Sequence, residues 1–551
     1  MSMEKRILIA FVLSAIIFAI WSVIFPPPKP VRPKAVETTA TPGTTTIVDE
    51  KTTEDRTIAE DAIGESLMGA TSGAEARLVG LSNDVIDVTF DSRGAAIQQL
   101  ILNEYLDAEG KALDLVQTLH HEDRTLPLQL VVDKKLDERI YEVEESPRAL
   151  IFRWADGKGR AIVKTVEMPV QGYGLDLSVV TTGFEGKALL SLGTGMRNIG
   201  PSEMAGNFAK WGDATIATLD DKENFRREKF KEDQVFEEPG IEYVGFEDTY
   251  FLNVFRVGNR IDGVEIRTMV FPGVDKKGEN VDVPVLRIDL RSNSGVFEGE
   301  LFAAPKEYKL LQREGGGLEE ALNFGFLNPI VVFFLKILQW IHRYVGNWGW
   351  SIVLLTVGLR MALFPLMHKS TVSMRRMQKV QPKVKAIQEK YKKNKSDPQI
   401  RQKMNQETMA LYKEEGVNPV GGCLPMLVQM PILFALYKLF PLAIEMRQAP
   451  FIWWITDLSL KDPLYITPVL MTATMWLQQR LAPQAGDPNQ MRMMRMMPLV
   501  FGIMFLQFPA ALVLYWLTNN VVSILQQEVT LHLVGERKIP GSGKRPPKGK
   551  K

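Results

Sequence analysis

The 551-residue sequence predicts a polytopic α-helical membrane protein with six membrane spans and a separate all-β domain. Two patterns predict this fold class. Beyond residue 346, long apolar stretches alternate with basic loops, whereas residues 81–311 contain short segments in which apolar and polar residues alternate. The net charge of only +1 hides this segregation of charge along the chain. A chain of this length is also too long for one ordinary domain.

The first predicted element is a signal-anchor transmembrane helix within residues 1–25. Residues 7–25 are uncharged, follow Lys5 and Arg6, and end at three prolines without a small-residue cleavage site. A cleaved signal peptide is the alternative. Residues 26–80 are rich in Pro and Thr and poor in aromatic residues, so they cannot support a packed core and predict a disordered linker.

Residues 81–320 are predicted to form the all-β domain. Alternating or β-branched segments predict strands at residues 85–90, 128–133, 161–168, 175–180 and 283–290. Turn sequences separate these segments, which is typical of a β-sandwich. A sugar-modifying enzyme built on this domain is one hypothesis, but its strand ends show no clear cluster of carboxylates or histidines.

Residues 321–346 predict an amphipathic helix that lies in the membrane interface. Lys336, Gln339 and Arg343 recur at helical spacing on one face, and apolar residues occupy the others. A further membrane span is the alternative, because residues 326–335 carry no charge.

The apolar stretch at residues 350–370 contains a single arginine, Arg360. In a continuous helix Arg360 would lie roughly 13 Å from Lys369, the next charge along the chain. A charge at such depth costs roughly 2.5–3.5 kcal/mol and normally faces the protein interior or a water-filled cavity. We therefore predict a positively charged recess at Arg360. The alternative is that its side chain reaches back to the nearer membrane surface.

Residues 368–415 hold thirteen Lys and Arg against five Asp and Glu, which places this loop in the cytoplasm. Apolar residues at helical spacing predict a helical hairpin over residues 370–415, with Pro382 kinking or restarting its first helix. A solvated surface is the default interpretation of these charges, and anionic phospholipids and ribosomal RNA are the alternatives as partners.

Three more apolar stretches follow, at residues 418–441, 463–477 and 498–525. The last is too long for one ordinary span, and Phe508-Pro509 divides it. The tail at 535–551 is strongly basic and should be cytoplasmic. Two crossings in the last stretch satisfy every loop, which gives six spans with both termini in the cytoplasm and the β domain outside.

No catalytic or cofactor site is predicted. Cys423 is the single cysteine, the five histidines lack metal-ligand spacing, and no phosphate-binding loop occurs. We therefore expect no enzymatic activity, no catalytic residue, no metal, no cofactor and no small-molecule substrate.

Four segments carry a resemblance to a known family. They are EEGVNPVGGCLPMLVQMPILFALY at 414–437, RQAPF at 447–451, FPAALVLYW at 508–516 and GLRMALFPL at 358–366. They resemble the YidC family of bacterial membrane protein insertases. The resemblance implies a multi-pass protein of the bacterial inner membrane, with a five-span insertase core at residues 347–534 and a periplasmic β-supersandwich.

The resemblance also implies the site and the partners. It places a hydrophilic substrate groove at Arg360, Thr356, Gln429 and Trp516. It places an apolar slide at Leu424, Pro425, Met430, Leu433, Val500 and Met504. Trp516 departs from relatives that often carry tyrosine there. The implied partners are nascent membrane-protein clients, the Sec translocon and, through the basic loops and tail, the ribosome. A small-solute transporter or channel with an anion site at Arg360 is the competing hypothesis.

Overall fold

The computed structural model describes residues 75–117, 124–198, 212–218, 222–225, 234–237, 240–258, 261–274, 280–322, 324–391, 397–417, 424–481 and 488–533. The predicted signal anchor, nearly all of the linker and the basic tail lie outside these ranges. The chain divides after Leu322 into two compact units, a β-sheet unit and a helical unit.

The β-sheet unit contains nineteen strands among its described residues. They are β1 (Leu78–Ser82), β2 (Ile86–Asp91), β3 (Ala96–Leu106), β4 (Ala112–Asp114), β5 (Leu130–Val132), β6 (Lys135–Leu136), β7 (Glu142–Glu145), β8 (Ala149–Ala155), β9 (Ala161–Glu167), β10 (Gly174–Thr182), β11 (Ala188–Thr194), β12 (Asp213–Thr218), β13 (Lys222–Phe225), β14 (Gln234–Phe236), β15 (Ile241–Glu247), β16 (Phe251–Val257), β17 (Gly263–Val274), β18 (Asn280–Ser292) and β19 (Val296–Pro305). Helix α1 (Tyr308–Glu314) follows them.

The strands form three antiparallel sheets. Their strand orders are β1-β2-β3-β4, then β13-β12-β15-β16-β19-β10-β9-β8-β7, and β14-β17-β18-β11-β5-β6. Each of the five segments predicted as strands overlaps an observed strand, namely β2, β5, β9, β10 and β18 in order, and β10 and β18 extend beyond the predicted segments at both ends.

Local sequence explains these strands well. In β2, Ile86, Val88 and Phe90 alternate with half-buried polar residues and are each at most 1% exposed. Strand β11 lies between two neighbours in the six-stranded sheet, and all of its residues are buried. The all-β character predicted for this part of the chain is therefore confirmed.

The helical unit contains eight α-helices among its described residues. They are α2 (Asn328–Val345), α3 (Trp348–Ala362), α4 (Phe364–Lys390), α5 (Pro398–Glu414), α6 (Leu424–Leu442), α7 (Ile466–Leu481), α8 (Pro488–Phe505) and α9 (Ala510–Leu533). Helix α2 begins later than the predicted interfacial helix, with Pro329 in its first turn, and ends at Gly346 in the left-handed region at φ 70°.

The apolar stretch at 350–370 is not one continuous helix. Helix α3 begins with the Asn347 side chain accepting a hydrogen bond from the backbone N–H of Trp350 and ends at Ala362, and α4 begins at Phe364 at an angle of 61° to it. Pro365 lies in the first turn of α4 and supplies no N–H donor to the preceding turn, which explains the break. Arg360 therefore lies in the last turn of α3, and the single-helix expectation is wrong.

Among the described helices, none by itself has the length and apolar character of a membrane span. The bent pair of α3 and α4 meets these criteria together, and shorter apolar helices cover Leu427–Leu442 and Arg495–Phe505. The number of six spans thus remains a prediction. The chain does break between α8 and α9, at the Phe508-Pro509 position that the sequence indicated.

Helices α4 and α5 pack side by side and run antiparallel. Lys383 pairs with Glu415, and Lys390, further along α4, pairs with Glu407, which comes earlier in the chain than Glu415. This reversed order of partners shows the antiparallel direction. Val380, Val384 and Val417 are buried between them, with Met377, Leu411 and Tyr412 packed against that cluster. Helix α4 runs through Pro382 without restarting, contrary to one of the two outcomes expected there.

Candidate functional site

Arg360 is a buried cation with no anionic partner among the described residues. It is 8% exposed, and its Nε donates a hydrogen bond to Oδ1 of Asn519 on α9 at 2.6 Å. Among the residues that the structure describes, no carboxylate lies within ion-pair distance of Arg360, and its two terminal amino groups donate to no protein atom. A guanidinium has five N–H donors, so most of its binding capacity is left for another group.

A row of polar side chains on α9 contacts this arginine through Asn519 and Gln526. Tyr515, Asn519, Ser523, Gln526 and Thr530 follow one another at intervals of four, four, three and four residues, which places them along one face of the helix. Gln526 Nε2 donates to the backbone carbonyl of Arg360 at 2.8 Å, and the Thr530 hydroxyl lies 3.2 Å from Nδ1 of His368 on α4.

Two atoms in this row lack a partner among the described residues. They are the hydroxyl of Ser523 and Oε1 of Gln526, and both are buried. Buried polar atoms normally find a protein or water partner. The row therefore offers unused donors and acceptors beside the unpaired charge of Arg360.

Gln429 on α6 joins the row through Tyr515. Its side-chain amide donates to the Tyr515 hydroxyl, and Tyr515 is 2% exposed. The ring of Tyr515 also lies 6.3 Å from that of Phe440, between centroids. Helix α9 thus connects the two predicted residues Arg360 and Gln429: Asn519 contacts Arg360, and Tyr515, one turn earlier, contacts Gln429.

Thr356 and Trp516 have other contacts. Thr356 is 1% exposed, and its hydroxyl donates to the Ile352 carbonyl of its own helix at 2.7 Å. Trp516 packs on two rings of α8, with centroids 6.2 Å from Phe501 and 5.1 Å from Phe505. The described contacts therefore connect Trp516 to α8 and connect Tyr515, the preceding residue, to Gln429.

The predicted slide residues lie on α6 and α8. Met430 and Leu433 are half-buried on α6, whereas Val500 and Met504 on α8 are 62% and 44% exposed. The side chains of Leu424 and Pro425 lie outside the described ones. Ile503, which lies between Val500 and Met504 in the sequence, is 63% exposed. Helix α8 therefore presents an exposed apolar face.

A folded loop covers the N-terminal end of α9. The backbone N–H of Ala510 donates to Leu460 at 2.7 Å, and that of Ala511 donates to Leu458 at 3.0 Å. These bonds supply partners for donors that a helix start leaves without one. Leu458 and Met446 in this loop are both 0% exposed, so that end of the helical unit is closely packed.

The sequence pattern and the family resemblance pointed to Arg360 and Gln429 as candidates but not to Tyr515, Asn519, Ser523 or Gln526, which the structure connects to them or places in the same row. Their helical spacing was visible in the sequence as a polar row within an apolar stretch. Among the described residues, no group of three or more His, Cys, Asp or Glu could hold a metal ion.

Comparisons with known proteins cover both units. The family model described as 60Kd inner membrane protein matches residues 340–536, and that described as YidC periplasmic domain matches residues 78–341. The chain is 33% identical over 547 residues to "Membrane protein insertase YidC" of Geobacter metallireducens, covering 95% of this chain and 98% of the relative. It is 34% identical, with the same coverage, to the protein of that name from Geobacter sulfurreducens.

A solved structure also matches along most of the chain. It is "Active YidC insertase crystal structure with the first transmembrane domain resolved", which is 17% identical, with a TM-score of 0.35, and the match covers 88% of this chain and 99% of that one.

Proposed function

The chain belongs to the YidC family of membrane protein insertases, inner-membrane proteins with a periplasmic domain, and we propose that it inserts its clients through the polar row around Arg360. One observation supports this use of Arg360 above the others. The guanidinium is buried, is held by a neutral amide and has no carboxylate partner among the described residues.

An unpaired buried arginine attracts negative charge. Coulomb interactions strengthen as the effective dielectric constant falls, so a carboxylate that reaches Arg360 is bound more strongly there than in water. The planar guanidinium can also donate two parallel hydrogen bonds to one carboxylate. A client with an acidic or polar extracytoplasmic tail would therefore bind this recess while its tail crosses.

The driving force for insertion is the transfer of apolar client residues from water to lipid. Each buried CH₂ group contributes about 0.8 kcal/mol, so a transmembrane segment supplies ample free energy without nucleotide hydrolysis. The obstacle is the polar tail. A polar recess that reaches partway through the membrane shortens the apolar path which this tail must cross.

The remaining parts of the helical unit have complementary roles in this proposal. In this proposal the slide along which the apolar client segment leaves consists of the exposed apolar residues Val500 and Met504 of α8 and the half-buried Met430 and Leu433 of α6. The basic hairpin of α4 and α5 faces the cytoplasm, where ribosomes and anionic phospholipids are its partners. We propose further that the chain crosses the membrane six times, that both termini lie in the cytoplasm, and that it cooperates with the Sec translocon.

The test is insertion by the purified full-length protein in lipid vesicles. A single-span client with an acidic tail is added without nucleotide, and protection of its tail from external protease reports crossing. We expect insertion by the wild type, a loss of about tenfold or more for Arg360→Ala, and retention for Arg360→Lys, because lysine keeps the charge. Arg343→Ala is the matched control, since Arg343 is exposed.

Of three informative outcomes, the first and the last would contradict the proposal in different ways. Equal insertion by the wild type and Arg360→Ala would leave an insertase in which the arginine has no role. Loss in both the alanine and the control variant would point to a folding defect. If the wild type fails to insert the client but lets small anions leak across the vesicle, the transporter hypothesis would replace the insertase.

A further inference from the structure

Helix α9 carries two pairs of neighbouring amides with the same chemistry and different partners. Within the pair Asn519 and Asn520, the first accepts from Arg360, whereas the second donates to the Met471 carbonyl at 3.3 Å and to the Thr474 hydroxyl at 3.4 Å. Both partners of Asn520 lie on α7.

The second pair, Gln526 and Gln527, repeats this division two helical turns later. Gln526 donates to the Arg360 carbonyl at 2.8 Å, and Gln527 donates to the Leu481 carbonyl at the end of α7 at 2.5 Å. Seven residues separate equivalent members of the two pairs, so 519 and 526 share one face of α9 and 520 and 527 share the next. One face therefore holds Arg360, and the other holds α7.

The two bonds to Arg360 fix it at different points. Asn519 accepts from Nε, the donor nearest the aliphatic stem, and the two terminal amino groups have no hydrogen-bond partner in the described part of the chain. Gln526 holds the main-chain carbonyl, which lies in the last turn of α3, two residues before the chain bends by 61° into α4. Carbonyls in a last helical turn lack some of their intrahelical donors, so a side-chain donor stabilises this turn.

We infer that Asn519 and Gln526 are positioning residues for Arg360: they hold its guanidinium within the recess with the two terminal amino groups directed to the carboxylates of the client's tail. This inference rests on the proposed function, because it assigns the charge of Arg360 to client binding. It adds that α9 determines how strongly acidic tails are preferred over neutral ones. Asn520 and Gln527 bind α7 and do not contribute to that preference.

The readout is the ratio of insertion for two clients that differ only in the tail. One tail carries aspartates and glutamates, and the other carries asparagines and glutamines at the same positions. A general folding defect lowers insertion of both clients, whereas a misplaced or neutralised arginine lowers the ratio. The full-length protein is reconstituted in vesicles, and the folded fraction of each variant is measured by size-exclusion chromatography.

Three variants test the inference, with one matched control for each pair. Asn519→Asp changes almost no volume and places a carboxylate beside Nε, so we expect the acidic-to-neutral ratio to fall at least about tenfold. Asn519→Leu and Gln526→Met each remove one hydrogen bond, and we expect falls of about fivefold. Asn520→Leu and Gln527→Met should leave the ratio within about twofold of the wild type.

The outcomes separate this inference from the proposed function. If Arg360→Ala abolishes the preference but the variants at 519 and 526 keep the wild-type ratio, the positioning roles are wrong and the proposed function stands. If Arg360→Ala keeps the preference, the charge does not act on the client and both fail. Equal falls in the ratio for both members of each pair would also overturn the inference, because the division between the two faces of α9 would then have no consequence.

Discussion

Both units of the chain bury positively charged side chains, but the partners differ. In the β-sheet unit, Lys306 is buried with Glu247 at 2.6 Å, and Arg197 is buried with Asp248. Lys306 also donates to the Asp248 carbonyl. In the helical unit, Arg360 is 8% exposed and is held by a neutral amide, with no carboxylate partner among the described residues.

The difference separates two uses of a buried charge. A charge removed from water costs several kcal/mol, which an opposite charge with good hydrogen bonds can offset within the folded protein. The pairs of the β-sheet unit are complete in themselves and leave little for a ligand to bind. No described residue compensates Arg360 in this way, so its charge is available to an incoming carboxylate. Breaking the ion pairs of the β-sheet unit should therefore lower the stability of the protein. Changing Arg360 should instead lower the insertion of client proteins.

The largest expected effect on stability is at Asp248. Its side chain accepts from Arg197 and also from the backbone N–H groups of Tyr250 and Phe251, both at 2.7 Å. Asp248→Ala removes the carboxylate that neutralises the buried guanidinium of Arg197 and accepts from two buried backbone donors. We expect the free energy of unfolding of the β-sheet unit to fall by about 3–5 kcal/mol, measured by urea denaturation of the full-length protein in detergent.

The control for this prediction is Glu144→Ala. Glu144 pairs with Arg153 at the surface, where the two side chains are 62% and 32% exposed. Exposed pairs contribute little, so this variant should unfold almost as the wild type does. Similar losses at the two positions would mean that burial does not distinguish these ion pairs.

The next effect depends on pH and concerns Lys164. Its ammonium group lies 2.7–3.1 Å from the carbonyl oxygens of Gly94, Ala95 and Leu128, and burial lowers the pKa of Lys164 from 10.5 to about 7. Between pH 7 and the ordinary pKa, the unfolded chain then binds more protons than the folded one. The contribution of Lys164 to stability therefore rises with pH over this range.

Lys164→Met removes this titration and is the comparison that measures it. The difference in unfolding free energy between wild type and variant should move in favour of the wild type by about 1–2 kcal/mol between about pH 7.5 and pH 9. Thermal unfolding at several pH values in matched buffers gives this difference. A difference that stays constant with pH would show that the three carbonyls keep the lysine protonated, with its pKa near the ordinary value.

A smaller effect on stability is expected at Arg360 itself. Arg360→Met keeps much of the side-chain volume and removes the charge, so only the bond to Asn519 is lost. Because an uncompensated buried charge costs free energy, the unfolding free energy of the helical unit should change by less than about 1 kcal/mol, or rise. Unfolding in mixed detergent micelles measures it. A large loss of stability would show instead that Arg360 has a structural role comparable to Lys306.

The sequence predicted what depends on neighbouring residues. Alternation located β2, β9 and β10, and 3-4 spacing located the two helices of the hairpin, because strands and helices repeat over a few positions. Arg360 was found because a charge within an apolar stretch is conspicuous. Its partner Asn519 lies 159 residues away, and no local pattern records that contact.

The bend between α3 and α4 was missed for a different reason. The apolar character of residues 350–370 continues across Pro365, so hydropathy alone predicts one span. The missing N–H of that proline is a local signal, but whether a helix kinks or stops there depends on packing against other helices. Gln526, which binds the Arg360 carbonyl before the bend, is one such contact.

The smallest expected effect concerns a third kind of cation, which is paired but exposed. In the hairpin, Lys390 lies 3.0 Å from Glu407 with its side chain 61% exposed, and Tyr391 also donates to Glu407 at 2.7 Å. Water screens this pair, while Val384, 3% exposed, packs in the apolar cluster between α4 and α5. Lys390→Ala should therefore leave hydrogen exchange of the hairpin amides unchanged, whereas Val384→Ala should accelerate it by creating a cavity. Faster hydrogen exchange in the lysine variant, and only at low salt, would show that the exposed ion pair also stabilises the hairpin. Buried and exposed cations would then differ only in how much they contribute to stability.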